Sequence, residues 1–210
     1  MPEYKLTYFP IRGLAEPIRL LFADNGIPFT DDMFDRKDWP AIKATMPYGQ
    51  VPCLFEDGHP ICQSGAILRH LARVHGLYGS TESDATFADV IADGVKDLHN
   101  KYTTMIYTAY EEQKDQFCKE ILPVELAKFE TLLKAHGVDK GYLLGGDKMC
   151  YADYLLYEDL DVKQILDPNC LANCPTLKSY HGRVKARPKI QAYTGTEEHK
   201  KLNVNGNGKQ

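Results

Sequence analysis

Four places along the 210-residue chain carry side chains suited to chemistry. Tyr8 ends an alternating apolar run, just ahead of Pro10 and Gly13. A phenol there can face a cleft at the carboxyl edge of a sheet and donate its proton to a thiolate, favouring the ionised sulfur. Trp39 and Lys43 stand four apart, a spacing that aims both one way on a helical turn and suits a ligand carboxylate. Gln50-Val51-Pro52 sets a proline just before an apolar run. X-Pro bonds are cis in only about 5–6% of cases, so spacing alone favours trans. Were the bond cis, Val51 would offer an unpaired backbone edge to which an extended peptide could add as a strand. Gln63-Ser64 lies where a strand gives way to a helix, with Ser64 as the N-cap. Open backbone N–H groups and the positive dipole end make an anion site there, and the hydroxyl adds a donor. Each place also has an ordinary reading: a core tyrosine, a half-buried tryptophan beside a solvated lysine, a trans proline, a plain cap.

The six cysteines, Cys53, Cys62, Cys118, Cys150, Cys170 and Cys174, contain no C-x-x-C pair. Neither a zinc ribbon nor a thioredoxin-type dithiol has its motif, so no metal set is expected and the cysteines read as reduced thiols. A chain this long needs no disulfide staples. Lys plus Arg number 25 against 29 Asp plus Glu, a net charge of −4 that leaves no basic excess for nucleic acid. The start, Met1-Pro2-Glu3-Tyr4-Lys5, is charged and has no apolar h-region behind it. No apolar run approaches the roughly 18–20 residues of a membrane span. The expectation is a cytoplasmic protein.

The elements that must position these residues follow from hydrophobic period. Tyr4, Leu6 and Tyr8 alternate with Lys5 and Thr7, which predicts a strand; Leu14 to Asn25 predicts a helix stopped by Gly26. A second strand fits Phe29 to Phe34. Asp57-Gly58 between Cys53–Glu56 and His59–Cys62 predicts a hairpin. A helix then carries Ile67, Leu68, Leu71 and Val74 to Gly76. The polar stretch 77–84 reads as a linker between domains at 1–76 and 85–210. Beyond it only helical period remains, in stripes through Val90, Ile91, Val95, Leu98, Tyr102, Met105 and Ile106, then Leu126, Phe129, Leu132 and Leu133, then Tyr154, Leu155 and Leu160, and last Leu177, Tyr180 and Val184. The Asn- and Gly-rich tail, 203–210, forms no helix. The fold class is an α/β thioredoxin-like N-terminal domain followed by an all-α domain.

Singly these signals are weak, but their order is specific. Tyr8-Phe9-Pro10-Ile11-Arg12-Gly13, Ala15-Glu16-Pro17-Ile18-Arg19, Trp39, Lys43, Tyr48-Gly49-Gln50-Val51-Pro52 and Gln63-Ser64-Gly65-Ala66-Ile67 resemble the cytosolic glutathione transferases over essentially the whole chain. Asp93-Gly94-Val95-Lys96-Asp97-Leu98, Lys101-Tyr102, Ile106-Tyr107 and Asn205-Gly206-Asn207-Gly208-Lys209-Gln210 resemble the pi class, and the first helix and Gln63–Ile67 its invertebrate, nematode-like branch.

The resemblance implies conjugation of reduced glutathione to hydrophobic electrophiles, a detoxifying reaction with no metal or prosthetic group. Tyr8 is implied as the catalytic residue. Trp39, Lys43 and Gln50 would meet the glycyl carboxylate, Val51 before a cis Pro52 the cysteinyl backbone, and Gln63 and Ser64 the γ-glutamyl carboxylate. Asp97 would reach in from the other subunit of a homodimer, whose interface Tyr48 would key. Phe9, Pro10, Ile11, Thr103, Tyr107 and Gly206 would line the electrophile pocket. Departures from the pattern are Leu14 where vertebrate relatives carry arginine, Cys150 where the capping motif has Ser or Thr, and Met46 where vertebrate relatives carry a reactive cysteine. Rival readings are a non-catalytic ligand carrier or crystallin-like protein on the same fold, and a thiol–disulfide oxidoreductase, which the missing C-x-x-C disfavours.

Overall fold

The computed structural model describes residues 2–138 and 140–210; Met1, where the N-terminal reading begins, and Asp139 lie outside it. The chain divides into two compact units, Met1–His75 with Pro188–Gly206, and Gly76–Arg187 with Asn207–Gln210. The sequence reading ran the helical region on to residue 210. Pro188–Gly206 instead groups with the first unit, because period shows that a helix is amphipathic and not which surface it covers.

The first unit holds a four-stranded sheet in the order β2-β1-β3-β4, with β1 at Tyr4–Tyr8, β2 at Thr30–Met33, β3 at Cys53–Glu56 and β4 at His59–Cys62. β1 runs parallel to β2 and antiparallel to β3, and β3 pairs antiparallel with β4. This mixed sheet is the thioredoxin-like arrangement expected. Asp57 and Gly58 both take positive φ (49° and 82°), as a tight two-residue hairpin turn requires. The helix expected from Leu14 splits into a 3₁₀ turn at Gly13–Ala15 and α1 at Glu16–Asn25, closed by Gly26 at φ 65°. Pro17 starts α1 properly, since a first-turn N–H has no helical partner to lose. α2 spans Trp39–Thr45 and α3 Ser64–His75. Late in the chain α9 (Pro188–Thr194) packs on α1, and α10 covers Glu197–Lys200. The tail beyond is non-helical, as its composition dictates.

In the second unit α4 (Glu82–Thr108) starts inside the stretch read as linker. Thr81 caps it, accepting from the Asp84 N–H at 3.1 Å while the Asp84 carboxylate accepts from the Thr81 N–H. α5 (Tyr110–Gln116) and a π-helical turn lead to α6 (Leu122–Ala135), followed by α7 (Tyr151–Leu166) and α8 (Pro175–Lys185). The core is built from the predicted stripes, but Leu155 is only half-buried. Val90 and Leu132 are exposed while their neighbours Ile91 and Leu133 are buried. Adjacent residues on a helix point about 100° apart, so one of each apolar pair misses the core.

Candidate functional site

Tyr8 closes β1 and is 7% exposed. Gly13 makes room for the phenol: its φ is +43°, and a Cβ there would stand 2.6 Å from the Tyr8 hydroxyl oxygen. The Leu14 N–H donates to that oxygen at 3.2 Å. An accepted N–H polarises the phenol and makes its O–H a stronger donor. This contact comes from backbone, so leucine in place of arginine at position 14 leaves it intact.

A buried ionic cluster holds the loop behind Tyr8. Arg19 is fully buried, with Nη1 donating to the Ile11 carbonyl at 2.8 Å and Nε to Asp31 at 2.8 Å. Its guanidinium lies 5.9 Å from the Tyr8 ring centroid. Glu16 faces Arg19 at 3.4 Å and His199 at 2.8 Å. Burial would raise the Glu16 carboxyl, but His199, Arg19 and Arg12 outweigh it and hold the group below the usual range. Burial pushes Asp31 the other way, above its ordinary value. Arg19 and Glu16 entered the sequence reading only as parts of a motif. Their positioning role depends on α1, β2 and α10 meeting, which no local pattern records.

Trp39 opens α2 within an aromatic cluster: Phe34 stacks on it at 5.8 Å, and Phe9 meets it edge-on at 5.5 Å. Phe34 was missed as a site residue because it reads as a strand end. Lys43 is exposed and passes over Gly49 (φ 57°), where a Cβ would come within 3.4 Å of its stem. The Val51–Pro52 bond is cis, against the odds from spacing and in accord with the resemblance. Val51 lies ahead of β3, outside the paired ladders. The Gln63 amide donates to the Gln50 side-chain oxygen at 3.2 Å, so these two are brought together.

Ser64 is the first residue of α3 and not its N-cap. Gln63 holds the cap position, its carbonyl accepting from the Ile67 N–H at 2.9 Å, in a left-handed conformation at φ 71°. Left-handed backbone costs an L-residue roughly 1–2 kcal/mol. No acid stands in the first turn of α3, so its positive end faces outward unneutralised by its own sequence.

Ile11 bridges to Asn203, the Arg12 N–H donates to the Asn203 carbonyl at 2.8 Å, and the Gly13 N–H to Val204 at 3.2 Å. Arg36 Nη2 donates to the Gly206 carbonyl at 2.7 Å. Ile11 and the tail up to Gly206 thus belong to one unit, with Phe9 and Pro10 in the same loop. In the other unit, Asp97, Thr103 and Tyr107 lie along α4. The Thr103 hydroxyl donates to the helix carbonyls of His99 and Asn100, and Tyr107 is half exposed. Tyr48 is 71% exposed. All six cysteines are free thiols. Among the described residues no helix is long and apolar enough to cross a membrane, and no His, Cys, Asp and Glu group is placed to hold a metal.

Known proteins agree with this architecture. The family model for the glutathione S-transferase N-terminal domain matches residues 4–73, and the model for the C-terminal domain matches 96–197. A glutathione S-transferase of Dirofilaria immitis is 54% identical over 208 residues, covering 99% of this chain and 100% of that one. Glutathione S-transferase P of Homo sapiens is 42% identical over 213 residues, covering 100% of both. The solved pi-class glutathione S-transferase of Onchocerca volvulus superposes with a TM-score of 0.95 at 55% identity, covering 99% of each chain. By these matches along nearly its full length, the chain belongs to the glutathione S-transferase family.

Proposed function

We propose that this transferase adds the glutathione thiolate to hydrophobic electrophiles such as halonitroarenes, enals and epoxides, with Tyr8 as the residue that favours the thiolate. The observation that carries the reading is the Leu14 N–H on the Tyr8 oxygen, which orients and polarises a phenol at the end of β1. A free thiol with a pKa of about 8.5 is only a few per cent ionised at neutral pH. One strong hydrogen bond to the sulfur, worth about 1.5–3 kcal/mol, lowers that pKa by roughly one to two units. The remaining catalysis is the holding of two reactants together.

Trp39, Lys43 and Gln50 serve the glycyl carboxylate, Val51 and Pro52 the cysteinyl backbone, and Gln63 and Ser64 the γ-glutamyl carboxylate at the open start of α3. The Gln50–Gln63 hydrogen bond supports grouping these residues on one ligand. Phe9, Pro10, Ile11 and Gly206 serve the electrophile. Asp97 reaches the γ-glutamyl amine of the neighbouring subunit in a homodimer keyed by Tyr48, whose large exposure as an aromatic supports that role. The protein acts in the cytoplasm, in detoxification, with glutathione as co-substrate and no prosthetic group called for by the chemistry. The test is conjugation to a halonitroarene by wild type and Tyr8→Phe. The variant is expected to lose about ten- to a hundred-fold in kcat with an unchanged glutathione Kd. A wild type that binds glutathione without turnover would favour the carrier reading instead.

A further inference from the structure

β3 and β4 place two cysteines directly opposite each other. Cys53 and Cys62 are register partners in the antiparallel ladder, and their sulfurs stand 3.6 Å apart. Opposed residues in such a ladder have Cα atoms about 4.5–5.5 Å apart, inside the roughly 4.4–6.8 Å window of disulfides. Closing the bond requires the sulfurs to approach by about 1.5 Å, to a length of about 2.05 Å. Packing alone would be met by any two small apolar side chains. Two thiols in contact also hold the two electrons and two protons that are given up when a disulfide forms.

We propose that Cys53 and Cys62 form a redox-active dithiol that a hydroperoxide converts to an intramolecular disulfide. Cys62 is part exposed and Cys53 is fully buried, so attack begins at Cys62. Burial pushes the Cys53 thiol up to about 12, which also leaves Cys62 as the first nucleophile. The Cys62 sulfur takes the terminal oxygen of the hydroperoxide, giving a sulfenic acid and an alcohol. Cys53 then attacks that sulfur, the S–O bond breaks, and water leaves with the Cys53 proton. The net change is two thiols plus ROOH to one disulfide, ROH and water. Cys62 directly precedes Gln63, so drawing the sulfurs together alters the approach to α3. That consequence rests on the glutathione reading of Gln63 and Ser64, whereas the bond itself does not.

The experiment oxidises the full chain with hydrogen peroxide, blocks remaining thiols with iodoacetamide, and maps linked peptides by mass spectrometry. The expected result is a Cys53–Cys62 linked peptide and two fewer alkylated thiols, both reversed by dithiothreitol. Cys62→Ser and Cys62→Ala, at the part-exposed position and matched to wild type by thermal melt, should show neither. A link through Cys118, Cys170 or Cys174, a link between two copies, a sulfinic acid at Cys62, or no change under excess peroxide overturns the proposal. A threefold or greater rise in glutathione KM on oxidation, absent in Cys62→Ser, supports the coupling to α3. Linkage with an unchanged KM keeps the dithiol and overturns that coupling.

Discussion

At the start of α7 the helix is closed from within. Asp153 is fully buried, and its carboxylate accepts from the Cys150 N–H at 2.7 Å, the Leu143 N–H at 3.0 Å and the Tyr180 hydroxyl at 2.8 Å. α8 is closed from outside its own sequence: Glu130 on α6 accepts from the Thr176 and Leu177 N–H groups at 3.0 and 2.9 Å. α3 differs from both. Its first turn has no acid, as that of α8 has none, but its cap residue Gln63 is held at φ 71° and the Gln63 amide is tied to Gln50. The same positive helix end is met by a carboxylate in two places, and we propose that in the third it meets a ligand.

The largest effect expected from this contrast is at Asp153. Asp153→Ala strands three buried donors and should lower stability by about 3–5 kcal/mol, read by urea unfolding. A loss under 1 kcal/mol would show that α7 does not depend on its own closure. At α3 the expectation reverses. Gln63→Gly relieves about 1–2 kcal/mol of left-handed cost but adds glycine's chain entropy, so stability should move by less than about 1 kcal/mol. Glutathione KM should nonetheless rise about tenfold, the worth of one lost hydrogen bond. An unchanged KM would remove Gln63 from the site.

Glu130 sharpens the comparison through pH. Burial would raise its carboxyl, but the Leu177 and Thr176 N–H groups and Lys134 outweigh burial and hold it below the ordinary carboxylate value. Its folded pKa is therefore below its unfolded one. The stabilisation is present above the unfolded value of about 4.3 and is lost as pH falls through the folded value. Glu130→Gln should cost about 1 kcal/mol at pH 7 and flatten the melting-temperature profile below about pH 4.3. The smallest effect is expected at Cys150. The Asp153 carboxylate keeps the stronger half of the capping box there, so Cys150→Ser should gain only about 0.5 kcal/mol. A gain above about 2 kcal/mol would mean that the thiol leaves α7 poorly capped.

Much of the molecule was legible before its structure. The strand at Tyr4–Tyr8, the Asp57-Gly58 hairpin and the helix stops at Gly26 and Gly76 follow from period and turn chemistry, because those rules act over a few neighbouring residues. The linker was less legible. Thr81-Glu82-Ser83-Asp84 is polar enough for a loop yet encodes a capping box, and composition alone does not separate the two. Serine's preference for caps points to Ser64, but the left-handed turn at Gln63 moves the cap back by one residue.

The sequence by itself determined the element order, the family and the identity of the phenol at Tyr8, since these rest on residue types and spacing. Only the tertiary structure decided which backbone group meets that phenol, which residue caps α3 and which surface Pro188–Gly206 covers. Each of these depends on register, backbone dihedral or packing between segments distant in the chain, and a pattern within one segment carries no information about its partner.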